Sequence, residues 1–226
     1  MDYRHELKFP VSDMELELIR YRLRPLMKQD IHQKQGMYTV RSLYFDDYYD
    51  SGMRENEDGI GNRQKFRIRI YNHDDSVIKL EKKEKYRGMV RKEGVFISRE
   101  DCFSYMNGTV RKLCKDSPGT EMELYAQIKT RGMHPVSIVE YERTALVEPR
   151  GNVRITFDRN ISGSNQVNNF MDERLAMVPL LPAGIHILEV KYDQLLPQYI
   201  YEALNMGTLQ RSSFSKYYYS RTKFIF

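Results

Sequence analysis

The sequence has few of the features that mark membrane, secreted or disulfide-bonded proteins. It contains two cysteines, Cys102 and Cys114, whose spacing suits neither a metal site nor a disulfide scaffold. No stretch approaches the roughly 20 apolar residues of a membrane-spanning helix, and the longest, 177–188, is interrupted by prolines and a glycine. Residues 1–6 are mostly polar and lack the apolar core of a signal peptide. We therefore expect a globular protein in a reducing cytoplasm.

The sequence also lacks the common motifs of nucleophilic and phosphate-loop enzymes. The stretch 59–61 has two glycines near basic residues but no lysine in the pattern of a phosphate-binding loop, so we expect a flexible loop there. The five histidines show no metal-ligand spacing, and no serine or cysteine has a recognisable histidine partner. These absences argue against a catalytic triad, a histidine-bound metal and a P-loop nucleotide site.

Composition and turn spacing predict a single strand-dominated α+β domain over residues 1–226. The hydrophobic fraction of 41% and the charged fraction of 30% are typical of globular proteins. Short alternating segments separated by turn-rich stretches indicate strands. We expect helices from Ser12 to about Met27, from Ser98, over 118–130 and over 197–205, where serines or prolines provide start signals. The aromatic tail around residues 217–219 fits a closing strand or core packing better than a nucleobase platform.

Five of the predicted strands carry long charged side chains on one face and bulky apolar side chains on the other. Residues two apart in a strand share a face, so this alternation separates the two groups cleanly. The charged faces consist of Arg4, Glu6 and Lys8; Arg67 and Arg69; Lys79, Glu81 and Lys83; Arg154 and Asp158; and Glu189 and Lys191.

The charged faces allow two interpretations. Each strand alone would suit a solvent-exposed sheet face, because runs of charge are usually solvated. Together, however, so many cations on adjacent strands of a flat sheet would repel one another. A sheet that curls into a barrel places these faces around a lumen, where a polyanion would relieve the repulsion. The net charge of +5 is modest, so it is the focusing of charge in the lumen that indicates an anionic ligand.

An ordered set of short motifs resembles a known family. The motifs are Arg4-His5-Glu6-Leu7-Lys8, Lys65-Phe66-Arg67-Ile68-Arg69, Leu80-Glu81-Lys82-Lys83, Tyr141-Glu142-Arg143-Thr144, Val153-Arg154-Ile155-Thr156-Phe157-Asp158, Leu188-Glu189-Val190-Lys191-Tyr192 and Ser213-Phe214-Ser215-Lys216-Tyr217. Together they resemble the polyphosphate polymerase domain of the vacuolar transporter chaperone (VTC) family, within the triphosphate tunnel metalloenzyme (CYTH-like) superfamily. The resemblance implies a closed, antiparallel, eight-stranded β-barrel with helices packed outside.

The resemblance also implies roles for individual residues. The candidates for the catalytic phosphate path are Lys8, Arg67, Arg69, Lys83, Arg143, Arg154 and Lys216. The candidates for substrate binding are Arg91, Tyr141 and Ser215, together with Arg4, Lys79 and Lys191 on the charged faces. One position departs from the eukaryotic family pattern, because Ser213 stands where a further lysine is expected, and Arg211 is the nearest cation that would compensate.

The implied cofactor is a divalent metal ion, Mn²⁺ or Mg²⁺. Such hard ions prefer oxygen ligands and are often held by one or two carboxylates plus substrate phosphates. Glu189 matches the metal-binding glutamate of the family, although a salt bridge to Lys191 or to a facing arginine is the alternative. Glu6 and Glu81 suit either metal binding or the organisation of neighbouring cations.

The implied activity is transfer of the γ-phosphoryl group of ATP to a growing polyphosphate or pyrophosphate acceptor, with release of ADP. The same cavity would also suit hydrolysis of tripolyphosphate or another organic triphosphate, or cyclisation of ATP. A non-catalytic sensor of polyphosphate or inositol phosphates is the alternative from another class. Nucleic acid is a weaker candidate, because single-strand grooves interleave cations with aromatic rings and these faces contain few rings. A separate membrane partner that receives the product is compatible with this interpretation.

Overall fold

The computed structural model describes residues 3–31, 33, 36–110, 113, 117–205 and 207–225. Ten strands and six helices are described there. The strands are β1 (His5–Ser12), β2 (Lys28–Gln29), β3 (Tyr38–Asp46), β4 (Arg63–Tyr71), β5 (Asp74–Tyr86), β6 (Met89–Ile97), β7 (His134–Glu148), β8 (Val153–Ser164), β9 (Val178–Pro179) and β10 (Ile185–Tyr192). The helices are α1 (Asp13–Leu23), α2 (Ser51–Glu57), α3 (Arg99–Met106), α4 (Gly119–Arg131), α5 (Gln198–Leu204) and α6 (Lys216–Ile225).

The strands form one curled antiparallel sheet in the order β1-β10-β8-β7-β3-β4-β5-β6, with the short β2 and β9 attached at its side. The expectation of a closed barrel is wrong: the sheet is an open half-barrel. Among the described residues, the backbone pairing of its two edges is limited to a bridge in which Arg4 and Val90 exchange hydrogen bonds of 3.0 Å. Farther along β1, the free edge is occupied instead by the segment before α6, since the Ser212 N–H donates to the Lys8 carbonyl at 2.8 Å.

The two faces of the sheet differ as the sequence alternation predicts. The apolar side chains of β4 and β5, including Phe66, Ile68 and Leu80, point outward into a core shared with α3 and α4. A second core joins β1, β8 and β10 to α1 and α5. The charged side chains point to the inner face, where Arg67 and Arg69 are 7% and 4% exposed. Because these cations are buried, the inner face is not the solvated sheet face of the alternative interpretation.

The helices predicted from start signals are present. At the start of α1, Ser12 and Glu15 form the expected capping box, and Ser98 caps α3 by accepting from the Asp101 N–H. Helix α1 ends at Leu23, a turn earlier than predicted, and the two helices predicted after prolines correspond to α4 and α5. No described helix is long and apolar enough to cross a membrane. Cys102 is a buried free thiol in the α3 core, and Cys114 lies outside the described residues.

The aromatic tail was expected to form a closing strand or to pack in the core; it forms α6 and no strand, and Tyr217 packs in the core. The Ser215 side chain accepts a hydrogen bond from the Tyr218 N–H at the start of the helix. Lys216, Tyr217 and Ser220 then fall on one buried helical face. At Gly163 of β8, an added Cβ would lie 2.5 Å from Ser220 Oγ, so the glycine allows α6 to approach the sheet closely.

Candidate functional site

The inner face of the sheet encloses a cavity of about 570 Å³. The segment 211–217, which runs into α6, completes its wall. Cations reach this cavity from most of its walls, and two glutamates and several aromatic side chains lie among them. The lining residues include Glu6, Lys8, Tyr44, Arg63, Lys65, Arg67, Arg69, Lys83, Lys85, Lys92, Tyr141, Arg143, Glu189, Lys191, Arg211, Ser213, Phe214, Ser215, Lys216 and Tyr217.

The two arginines of β4 are held by a buried glutamate on β5. Glu81 lies opposite Arg67 in the strand register and accepts from its guanidinium at 2.6 to 2.7 Å, while Arg69 lies 3.4 Å away. Burial alone would raise the pKa of Glu81, but the two guanidinium groups lower it well below its usual range. Glu81 therefore organises the arginine pair, and its contacts favour that role over metal binding.

Tyrosine hydroxyls complete the positioning of the arginines. Arg67 donates to the Tyr44 hydroxyl at 3.2 Å, and Arg69 contacts the Tyr141 hydroxyl at 3.4 Å and the Ser42 hydroxyl at 3.1 Å. The charged faces thus contain more rings than expected from the sequence. These tyrosines are buried, and their hydroxyls engage the guanidinium groups, so they support the cations in this structure.

A second buried carboxylate, Asp158 of β8, gathers cations from two other elements. The Arg143 side chain on β7 and the Lys216 side chain at the start of α6 both donate to it. Burial raises the pKa of Asp158, but Arg143 and Lys216 outweigh burial and hold it below its ordinary value. Lys216 also lies 4.6 Å from the centre of the Tyr141 ring. Asp158 therefore joins α6 to the sheet at the cavity wall.

Two further carboxylates, Glu6 of β1 and Glu189 of β10, lie on adjacent strands. Glu6 contacts Lys83 at 2.7 Å, Lys8 at 3.4 Å and Lys191 at 3.7 Å, and Lys191 also forms an ion pair with Glu189. Burial and the neighbouring Glu189 raise the pKa of Glu6, yet the lysines lower it below its usual range. Burial raises the pKa of Glu189 as well, but the charges of Lys191 and Lys8 outweigh burial, so this pKa lies well below its ordinary value. Both side chains are therefore charged at neutral pH.

These two carboxylates fit a divalent metal ion. Glu6 Oε2 is buried and has no hydrogen-bond partner, and the Lys191 ammonium lies 3.7 Å from it, beyond hydrogen-bond distance. Within the described residues, no three of the histidine, cysteine, aspartate and glutamate side chains form a group that could hold a metal. A site with two carboxylates leaves other positions for phosphate oxygens and water, as is usual for Mg²⁺ and Mn²⁺. The contact between Glu189 and Lys191, the predicted alternative, is also present.

Most of the predicted site residues come together in the cavity. Those that line it are Glu6, Lys8, Arg67, Arg69, Lys83, Tyr141, Arg143, Glu189, Lys191, Ser215 and Lys216. Ser213 lines it as well, and Arg211 stands two residues before it at the cavity mouth. The resemblance-based motifs thus converge on one enclosed volume.

The other predicted cations lie away from this cavity. Arg4 pairs with Asp193 at 2.7 Å near the bridge to β6, and Arg91 pairs with Glu84 at 2.8 Å. The Lys79 ammonium lies 5.7 Å from the centre of the Phe96 ring. Arg154 donates to the Tyr38 hydroxyl and pairs with Asp30 at 2.8 Å. Arg4 and Arg154 are thus held by partners distant in sequence, whereas Arg91 is held within the β5–β6 hairpin.

Several lining cations were missed by sequence reasoning. Arg63 and Lys65 continue the β4 alternation toward its start, and Lys85 continues that of β5, so the strand period carried the signal. The sequence contains no such signal for Lys92 on β6, because the face on which it lies is decided by the pairing of β6 with β5, where Lys92 is opposite Lys83. Neighbouring Lys191, burial and Arg67 lower the pKa of Lys92 well below its ordinary value.

Comparisons with known proteins agree with this architecture. The family model described as the VTC domain matches residues 3–225. The PH1819 protein of Pyrococcus horikoshii OT3 has 14% sequence identity and a TM-score of 0.50, with 98% of this chain and 99% of that chain covered. A Bacillus halodurans protein described as a "putative adenylate cyclase" has 12% identity and a TM-score of 0.52, with 93% and 92% covered. At these identities the likeness shows a shared fold. No curated protein matches the chain.

Proposed function

Because the chain belongs to the VTC domain family, we propose that it is a polyphosphate polymerase that extends inorganic polyphosphate or pyrophosphate with the γ-phosphoryl group of ATP. The observation that carries the proposal is the enclosed cavity in which cations from several strands surround the Glu6–Glu189 pair. Phosphoryl transfer requires mainly positioning and neutralisation of charge, and this arrangement supplies both.

The proposed reaction assigns simple tasks to the side chains. A terminal oxygen of the acceptor attacks the γ-phosphorus, the bond to the β-phosphate oxygen breaks, and ADP leaves with that oxygen. Arg67 and Arg69, pre-aligned by Glu81, would bind phosphate oxygens with planar guanidinium groups. Arg143 and Lys216 would do so from β7 and the start of α6, next to the Tyr141 ring, while Lys8 and Lys83 would act as mobile point charges. Glu6 and Glu189 would hold a divalent ion, which neutralises phosphate charge when bound.

The state of the carboxylates favours a phosphate acceptor over water. An attacking water must lose a proton, usually to a base whose pKa lies near the working pH. The pKa values of Glu6 and Glu189 lie below the usual range, so both are weak bases. The end of a phosphate chain is already anionic and needs no such base. Hydrolysis of tripolyphosphate is therefore the second candidate activity. A non-catalytic sensor is the third, because carboxylates in the cavity repel a polyphosphate that is only to be bound.

The proposal is tested by incubating the purified protein with ATP and Mn²⁺, with and without a pyrophosphate primer. The products are resolved on a gel that displays polyphosphate, and the Glu189→Gln variant is assayed in parallel. Long chains with stoichiometric ADP, absent in the variant, are the expected result. Release of free phosphate from tripolyphosphate without elongation would identify a hydrolase. Tight polyphosphate binding with no turnover of either substrate would leave a sensor.

A further inference from the structure

The cavity divides into a part whose cations are paired with carboxylates and a part whose cations are not. Glu81, Asp158, Glu6 and Glu189 neutralise most of the cations named in the proposed reaction. Five lining cations have no ion pair with any carboxylate in the part of the chain that the structure describes. One of them, Lys92, lies at the centre near Lys191, Arg67 and Glu81, and the other four form a separate group. These are Arg63, Lys65, Lys85 and Arg211.

The hydrogen bonds of Arg63 and Lys65 are with neutral groups. Arg63 donates to the Glu55 backbone carbonyl at 3.2 Å. The Lys65 ammonium lies 3.4 Å from both Asn56 Oδ1 and Ser215 Oγ, and 4.6 Å from the centre of the Tyr217 ring. Such contacts orient a cation without neutralising its charge. Glu55, Asp46 and Glu6 act on these cations from beyond ion-pair distance, so among the described residues an anionic ligand would displace no carboxylate bound directly to them.

The four cations are also close to one another. Arg63 and Lys85 are directly opposite each other in the register between β4 and β5, and Lys65 lies opposite Lys83 in the same register. Burial lowers the pKa of Lys85, and the charges of Arg63, Lys8 and Arg211 lower it further. The backbone hydrogen bond from Ser212 to Lys8 fixes the segment that carries Arg211 at this mouth. Like charges gathered in this way are unfavourable unless an anion binds among them.

These cations extend the row of arginines on β4. Arg63, Lys65, Arg67 and Arg69 occupy alternate positions on the inner face, and six residues of strand cover about 20 Å. The unpaired half of this row leads from the carboxylate-bearing centre to the cavity mouth. A phosphate chain that reacts at the centre would extend along it.

We propose that Arg63, Lys65, Lys85 and Arg211 form a subsite for the distal part of a linear inorganic polyphosphate, beyond the three phosphates bound at the centre. This inference rests on the proposed polymerase function, for which the subsite would hold the acceptor chain. It makes affinity depend on chain length, because tripolyphosphate fills the centre while a longer chain also reaches the mouth.

The subsite is tested by calorimetric titration of the full chain with tripolyphosphate and with a longer linear polyphosphate of defined length, without metal or ATP. The Arg63→Gln/Lys85→Gln variant should weaken binding of the long chain about tenfold or more, since two charge-assisted contacts to phosphate oxygens would be lost. Its affinity for tripolyphosphate should change much less. The control Arg99→Gln/Lys129→Gln removes the same charge from the exposed surface and should change neither affinity.

A swapped variant, Arg63→Lys/Lys85→Arg, keeps the charge and should retain the preference for the long chain, which separates loss of the subsite from misfolding. Equal weakening toward both ligands in the glutamine variant would overturn the proposal, as would a wild-type protein without any length preference. If the wild-type protein makes no polymer yet shows length-dependent binding that the glutamine variant loses, the polymerase proposal fails and the subsite is supported as part of a polyphosphate-binding site.

Discussion

The Arg143 guanidinium donates two hydrogen bonds, of 2.6 and 2.8 Å, to the carboxylate of Asp158, which lies opposite it in the pairing of β7 with β8. The Lys216 ammonium adds a third contact at 2.6 Å from the start of α6. Asp158 is fully buried, and its two partners are nearly so. One carboxylate therefore balances two cations that face the cavity, and its loss would leave both charges buried without a counter-ion.

We expect the Asp158→Asn variant to lose about 3–5 kcal/mol of unfolding free energy, which is typical when one member of a buried ion-pair network is removed. Urea unfolding followed by circular dichroism measures the loss. The Asp193→Asn variant is a matched control, because its partner Arg4 is partly exposed and the pair should contribute less than about 1 kcal/mol. Similar small losses in both variants would contradict the role assigned to Asp158.

Stability should fall in acid because of the buried carboxylates. The folded-state pKa values of Asp158, Glu81 and Glu189 are depressed. Their stabilising contribution is therefore complete above the unfolded-state pKa values of about 4 and is lost as pH falls through the folded-state values. Denaturation midpoints should be steady from neutral pH to about pH 5 and decline below it. If stability stayed constant well below pH 4, these shifts would be wrong.

Binding of a long linear polyphosphate should weaken as pH rises, because the proposed subsite includes Lys65. Burial, with Arg63, Lys83 and Lys8 nearby, lowers the pKa of Lys65 well below its ordinary value in the free protein. A bound anion favours the charged amine, so binding takes up a proton when the free amine is neutral, and affinity falls as pH rises above the lowered pKa. Calorimetry in buffers of different ionisation enthalpy measures this uptake. The Lys65→Gln variant should reduce it, and unchanged uptake would exclude Lys65.

Binding of Mn²⁺ in the presence of tripolyphosphate should require both Glu6 and Glu189. We expect the Glu6→Gln and Glu189→Gln variants to bind the ion at least about tenfold more weakly, since each loses one anionic oxygen ligand. Electron paramagnetic resonance of free Mn²⁺ gives the affinity without reference to turnover. The exposed Glu202→Gln variant serves as control. Unaltered Mn²⁺ affinity in either cavity variant would remove that residue from the metal site.

The packing of α6 against the rest of the protein should depend on the hydroxyl group of Tyr217. Tyr217 donates to the buried Asp46 carboxylate, which also accepts from the Gly52 and Met53 N–H groups. We expect Tyr217→Phe to cost about 1–3 kcal/mol, because one donor to a buried charge is lost. Tyr219→Phe, on the exposed side of the same helix, should be nearly neutral. Equal midpoints for the two variants in thermal unfolding would contradict this assignment.

The strand alternation was the most informative part of the sequence. A period of two placed Arg67 and Arg69 on the face opposite Phe66 and Ile68, and the structure places these faces inside and outside the sheet as expected. The capping pair of Ser12 and Glu15 likewise marked the start of α1. Such features depend on neighbours along the chain, so they can be recognised without knowledge of the fold.

Features that depend on distant partners could not be predicted in the same way. The pairing of Arg154 with Asp30 removes that cation from the cavity, although its strand face was assigned correctly. For the aromatic tail, the sequence indicated a closing strand or core packing, and it did not indicate the helix α6 whose Tyr217 and Ser220 pack against the sheet. Whether the sheet closed depended on how its edge strands met, and no local pattern records that.

The meeting of the edge strands also involves side chains that face the cavity. Most neighbouring strands in this sheet share ladders of many residues, but Arg4 and Val90 join the two edges through two backbone hydrogen bonds. Bonds of this kind contribute about 0.5–1.5 kcal/mol each, a small part of the 5–15 kcal/mol that usually holds a domain together. The seam therefore relies on side chains as well, since the 2.7 Å ion pair of Glu6 on β1 with Lys83 on β5 crosses it. Closure of the wall is thus coupled to the charge of two residues that face the ligand.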